Sequence, residues 1–190
     1  MNSLDRRAVT SSPINPLLAN RHSTRAFADS ELTDAQVASL LEAARWAPSC
    51  GNTQPSRFIV ARTGTVTFKR VVAQLNPGNQ KWAAAAAALI VGVRLTANEK
   101  GPLPFAAYDL GQAMAHLSFQ ALTEGLTVRQ MAGFDAAGLA AEFGLDETLV
   151  PTTIAAVGTA GDPAVLEDDV RAPDVAPRQR IALDELVIGD

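Results

Sequence analysis

The chain has 190 residues, of which 47% are apolar, enough for one domain with a sizeable core and at most a short extra arm. Its 20 acidic and 16 basic side chains give a net charge of −4, which argues against a nucleic-acid surface and against a disordered domain. A single cysteine, Cys50, excludes an intrachain disulfide and a cysteine-based metal site, and the two histidines, His22 and His116, have no zinc-ligand spacing.

The polar start, MNSLDRRAVTSS, leads into no apolar run and so does not read as a signal peptide. The longest apolar stretch, Trp82 to Val93, is too short to span a bilayer. A cytoplasmic protein with no membrane or nucleic-acid partner is therefore expected.

In chain order, residues 1–12 read as an arm that is either mobile or wrapped on a partner. A short helix around Pro16–Ala19 precedes RHSTRAF. Thr33, with Gln36 three residues on, has the pattern of a capping box and opens a helix to Trp46 that Pro48 ends. APSCGNTQP (47–55) is rich in turn formers and reads as a loop. A strand is expected over 57–61, a helix over about 65–74, a turn at NPGN (76–79), and a second helix from Gln80. LIVGV (89–93) has the continuous apolar run of a strand buried on both faces.

Phe105 to Glu124 is the longest helical segment, stopped by Gly125. Leu110, Met114, Leu117 and Ala121 make one apolar stripe, and Ala107, Gly111, Ala115 and Ser118 make a second row of small residues. By pattern alone a core helix of a monomer and a helix crossing a dimer interface are equally supported. A strand over 125–129, a helix over 135–143 and a β-rich run over 152–157 follow. The tail 167–177 is polar and Pro-punctuated, and RIALDELVI closes the chain. No linker divides residues 13–190, which are expected to form one domain. Strands and helices without regular βαβ alternation predict an α+β fold.

Glycine fingerprints for dinucleotides or P-loop phosphates are absent, as is the GxSxG of a nucleophile elbow. Nothing in the sequence brings Cys50 to a histidine. RHSTR sets Arg21 and Arg25 beside Ser23 and Thr24, a set suited to a phosphate; taken alone, a solvated basic turn explains it better. Arg178 and Arg180 form a second basic pair far away in sequence. Ser49, Asn52 and Gln54 offer uncharged donors and acceptors that suit a heteroaromatic edge or a polyol, as Asn79 does, although Asx-type turns account for such residues equally well.

RHSTRAF followed by WAPSCGNTQPSRFIV resembles the opening of the nitroreductase family of FMN-dependent oxidoreductases, with its R-x-S-x-R segment and P-S-x-x-N-x-Q-P loop. The resemblance continues through NQKWAAAAAALIVGV, YDLGQAMAHLSFQALTEGL, RQMAGFD and RQRIALDELV, in the family's order, and covers about residues 14–190. It implies an α+β fold with a central mixed β-sheet flanked by helices, and a homodimer whose extensive interface holds two FMN sites. By position, Arg21, Ser23 and Arg25 are expected to hold the FMN phosphate and ribityl chain, with His22 beside them through its backbone. Arg178 and Arg180 are expected to close on the same phosphate. Pro48, Ser49, Cys50 and Asn52, with Gln54 nearby, are expected to reach the flavin of the other subunit, and Asn79 its ribityl or pyrimidine side. Met131, Ala132 and Gly133 match the place where a backbone N–H meets flavin N5; many relatives have Glu or Gly at the position of Ala132.

The activity so implied is hydride transfer from NADH or NADPH to a small acceptor, such as a nitroaromatic or quinone, by a ping-pong mechanism. The flavin carries the chemistry, so no catalytic acid is expected. A flavin-binding storage or sensing module without turnover is the alternative from another class. Dehalogenation, flavin fragmentation and semialdehyde reduction are the alternatives on the same scaffold.

Overall fold

A computed structural model describes residues 6–189. Two short helices come first: α1 (Pro16–Asn20), capped by Asn15, and α2 (Asp34–Arg45), which starts in the expected capping box. There the Thr33 Oγ accepts from Gln36 N–H and the Gln36 side chain accepts from Thr33 N–H. A 3₁₀ turn at Cys50–Asn52 leads to β1 (Ser56–Arg62), then α3 (Val66–Ala73), α4 (Pro77–Ala83) and β2 (Ala88–Leu95). A two-residue hairpin, β3 (Ala97–Asn98) and β4 (Gly101–Pro102), precedes the central helix α5 (Ala106–Thr123). After it come β5 (Thr127–Met131), α6 (Ala136–Glu142), β6 (Leu149–Gly158) and α7 (Asp168–Val175).

The strands form one four-stranded sheet in the order β1-β2-β6-β5, flanked by helices on both faces. The α+β class is borne out, but the sheet is antiparallel at each of its pairings rather than mixed. The chain returns from β1 through two helices, α3 and α4, not through the single crossover helix that sets strands parallel. Between β5 and β6, α6 is seven residues long, about 10 Å, too short to carry the chain back to the starting end of β5.

Three other expectations change. NPGN is not a free turn: Asn76 precedes α4 and Pro77 occupies its first turn, where a missing N–H is harmless. The strand expected at 125–129 begins only at Thr127, because Gly125 takes a left-handed conformation (φ 72°) at the end of α5. The tail at 168–175 is helical, with Pro173 inside it. Of the N-terminal arm, residues 6–12 carry no helix or strand, and 1–5 lie outside the described residues.

Alternation along β2 divides the core. Leu89, Val91 and Val93 pack with α3, α4 and α6, around Trp82 and Leu139. Ala88 and Ile90 pack with α2 and α5, around Leu40 and Met114. Gly92 lets α5 come this close, since a Cβ there would lie 3.1 Å from Met114 Sδ and 3.4 Å from Leu110 Cδ1. Gly92→Val is therefore expected to overpack this layer and cost about 1–3 kcal/mol, read as a lower urea midpoint at unchanged slope.

The expected apolar stripe of α5 is buried throughout. In its second row Ser118 is buried, whereas Ala107 and Gly111 are exposed, and a Cβ on Gly111 would meet nothing within 4 Å. Phe105 and Tyr108 on the same helix end are 57% and 69% exposed. This chain alone leaves that row largely uncovered.

Candidate functional site

RHSTRAF is held in place by the end of β6. Phe27 bridges Ala160, Ala28 N–H donates to Thr159 O, and Gly161 N–H donates to Ala26 O. Thr24, Ala26 and Phe27 are buried as a result, while Arg21, His22, Ser23 and Arg25 keep partial exposure. His22 Nδ1 lies 3.2 Å from Asn20 O.

A second clamp comes from α7. Asp174, 5% exposed, accepts from Thr24 Oγ1 and from Arg25 N–H, each at 2.9 Å. The Arg25 guanidinium lies 3.6 Å from the same carboxylate and that of Arg129 3.9 Å away. Arg129 also reaches Ser23 O at 3.5 Å and lies over the Trp82 ring, 5.3 Å from its centroid. Burial lowers the pKa of Arg129 and the neighbouring Arg25 adds to this, while Asp174 opposes it.

Arg178, so remote in sequence, comes to the chain just ahead of this segment, with Arg180 near it. Arg178 donates to Ala19 O at 2.9 Å, at the end of α1, and to Arg6 O at 2.6 Å. Its pKa is lowered by burial first, then by the like charges of Arg21, Arg180 and Arg6. Arg21 donates to Ser23 Oγ at 3.4 Å. Among the described residues, none of these four arginines forms an ion pair with a carboxylate, and Arg6 Nε is buried without any hydrogen-bond partner. Such a cluster has a deficit of negative charge that suits a polyanion. A cleft of about 230 Å³ beside it is lined by Arg21, Ser23, Ser118, Phe119 and Gln130.

The chain leaving β5 meets α4. Asn79 Nδ2 donates to Gly133 O at 2.9 Å, and Asn76 N–H donates to the same oxygen at 3.0 Å. A side chain at Gly133 would displace the Asn79 amide, since a Cβ there would lie 2.7 Å from Asn79 Nδ2. Asn79 and the segment Met131, Ala132, Gly133 thus form one uncharged polar edge, with Ala132 exposed and Met131 buried.

The loop bearing Pro48, Ser49, Cys50, Asn52 and Gln54 lies elsewhere on the same chain. Cys50 N–H donates to both oxygens of Asp109 at 3.2 Å, and Gln54 N–H donates to Ser49 Oγ at 3.0 Å. Gly51, Asn52 and Gln54 have φ of 56°, 55° and 50°, so two side-chain-bearing residues sit in the left-handed region that favours glycine. Such strain persists only where surrounding bonds over-determine it, and buried Asp109 is the fixed point here. Asp109 and Ser118 are nine residues apart on α5, roughly 13 Å along its axis. Loop and arginine cluster therefore attach to opposite halves of one helix.

The structure thus places the sequence-derived residues in a basic group (Arg21, Ser23, Arg25, Arg178, Arg180), a polar edge (Asn79 with Met131–Gly133) and a separate loop. Sequence reasoning missed Arg6, Asp109, Arg129 and Asp174. Arg129 lies within the quoted RQMAGFD, but its neighbours Ser23 and Asp174 are far off in the chain. Asp174 is bonded across 149 and 150 residues, and nothing local marks it. Among the described residues no group of three or more His, Cys, Asp and Glu could hold a metal, and no helix is long and apolar enough to cross a membrane.

A family model described as the nitroreductase family matches residues 18–71. An uncharacterised 15.4 kDa protein of Mycolicibacterium smegmatis is 35% identical over 138 residues, 68% of this chain and 92% of its own. A Streptomyces coelicolor protein that carries the name NADH dehydrogenase/NAD(P)H nitroreductase is 31% identical over 170 residues, 78% of this chain and 84% of its own. The crystal structure of an FMN-containing oxidoreductase superposes with a TM-score of 0.90 at 29% identity, covering 98% of this chain and 96% of that one. A nitroreductase from Desulfovibrio desulfuricans, solved in complex with FMN, shares the fold with a TM-score of 0.75 at 24% identity, over 94% and 98% of the two chains.

Proposed function

Because this chain belongs to the nitroreductase family, we propose that it is an FMN-dependent oxidoreductase that works as a homodimer. In this reading it takes hydride from NADH or NADPH and reduces a small acceptor, a nitroaromatic, quinone or related compound, in alternating half-reactions.

The observation that carries the FMN assignment is the arginine cluster without counter-charge. An FMN phosphate brings roughly −1.5 to −2 charges and three strong acceptor oxygens, the complement of guanidiniums that have no carboxylate. Arg21, Arg178 and Arg180 would hold it, with Ser23 and Arg25 along the ribityl chain. Asn79 and the backbone of Met131, Ala132 and Gly133 supply neutral donors and acceptors, as a heteroaromatic edge requires. Ala132 in place of a Glu leaves the main-chain N–H available, since no side chain is needed for that bond. FMN, when bound, supplies the hydride-accepting and hydride-donating chemistry, and the protein contributes position and electrostatics. Arg25 and Arg129 share the one carboxylate of Asp174, and the positive charge left over would favour a reduced, anionic cofactor.

Two observations favour the homodimer. The exposed face of α5 offers Phe105, Tyr108 and a glycine with open space around it, a surface that a second copy could cover. The 48–54 loop, displaced from the cluster on its own chain, would complete the site of the partner subunit.

The test is an absorption spectrum of the purified protein, then anaerobic addition of NADH and of NADPH. Visible flavin bands that bleach on addition are expected. Bands that persist with both donors would favour a flavin-binding module without turnover. No flavin, even after FMN is added back, would overturn the assignment.

A further inference from the structure

The N-terminal arm brings a fourth arginine to the cluster. Ala8 N–H donates to Ala19 O at 2.8 Å, and Arg6 O accepts from Arg178 at 2.6 Å, across 172 residues of sequence. These two bonds tie the arm to the end of α1 and to the 178–180 segment. They also hold the Arg6 guanidinium near Arg178, which already has Arg21 and Arg180 as positive neighbours.

Bringing another cation here is unfavourable unless an anion joins them. Arg6 Nε is nevertheless buried with no hydrogen-bond partner, while the side chain as a whole stays partly exposed. Among the described residues, the one acid lining the cleft between arm and tail, Asp184, accepts from Glu185 N–H at 3.1 Å and forms no ion pair with the four arginines. The partly exposed guanidinium of Arg6 can therefore meet an acceptor from outside the chain, and the cluster's lack of counter-charge favours an anionic one.

We propose that Arg6 is a binding residue for the FMN phosphate, so that the N-terminal arm closes the phosphate end of the site and selects FMN over riboflavin. The inference rests on the FMN reading above. Like Arg21, Arg178 and Arg180, Arg6 lies in a stretch without helix or strand, and it is the arginine of the N-terminal arm, so its contribution includes ordering that arm around the anion.

The test compares full-length wild-type and Arg6→Gln protein, stripped of flavin and titrated with FMN and with riboflavin. Loss of a charge-assisted bond to phosphate is expected to weaken FMN binding about tenfold or more and to leave riboflavin binding within about twofold. FMN affinity within about twofold of wild type would overturn the inference. An equal loss for both flavins would also overturn it, since Arg6 would then serve the fold and not the phosphate. In the wild-type protein, FMN but not riboflavin is expected to slow tryptic cleavage after Arg6, and equal rates with both would count against it whether or not the variant folds. A wild-type protein that takes up neither flavin would instead refute the FMN reading itself, before any comparison with the variant.

Discussion

The Asp174→Ala protein is expected to be about 3 kcal/mol less stable than wild type. The carboxylate is 2% exposed at its side chain and is shared as a partner by Thr24 Oγ1, Arg25 N–H and the guanidiniums of Arg25 and Arg129. Breaking a buried pair costs about 3–5 kcal/mol because the other charge is left uncompensated. The lower end applies because Arg25 and Arg129 keep side-chain exposures of 22% and 21%, enough for water to reach them. Urea denaturation measures the loss. Hydrogen exchange at the Arg25 amide is expected to accelerate in parallel, since its acceptor is gone. Asp174→Asn keeps one acceptor oxygen and should recover part of the stability. A variant within about 1 kcal/mol of wild type would show that α7 does not organise the 23–25 segment.

Trp82→Ala is expected to cost about 3–5 kcal/mol, at the upper end of that range. Trp82 is 2% exposed and stacks on Phe27 with centroids 6.4 Å apart, a contact that adds about 0.5–1.5 kcal/mol beyond the area buried. Its loss opens a cavity between α4 and the sheet and removes the ring beneath Arg129. The effect reaches the site, because Phe27 also anchors RHSTRAF to the end of β6. Circular dichroism is the suitable probe. The other tryptophan, Trp46, is 72% exposed and would report little of unfolding by fluorescence. Trp82→Phe should retain most of the stability, and a Trp82→Ala protein as stable as wild type would place this ring outside the core.

Much of the fold was legible because its signals are local. The Thr33–Gln36 box, the apolar run of β2 and the stripe of α5 each depend on neighbours within a turn or a strand. The misreadings also have local causes. Pro77 serves a turn and the first turn of a helix equally well, and Pro173 suppresses a helix signal that packing of Val170 restores. The antiparallel sheet was not legible, since strand direction depends on how the connecting helices return the chain.

The candidate site divides in the same way. Its residue types were readable in the quoted motifs: arginine with hydroxyl donors in RHSTR, neutral amides in the 48–54 loop, and a second basic pair near the end. Residue types and their order along the chain were thus enough for the family, the α+β class and the polar inventory of the site. It took packing to show that Arg178 joins Arg21, that Asp174 holds Arg25, that Arg6 completes a cluster without counter-charge, and that the loop stands apart on the far half of α5. Periodicity and capping are set within a few residues of chain, whereas charge deficit and burial are sums over groups that only packing brings together.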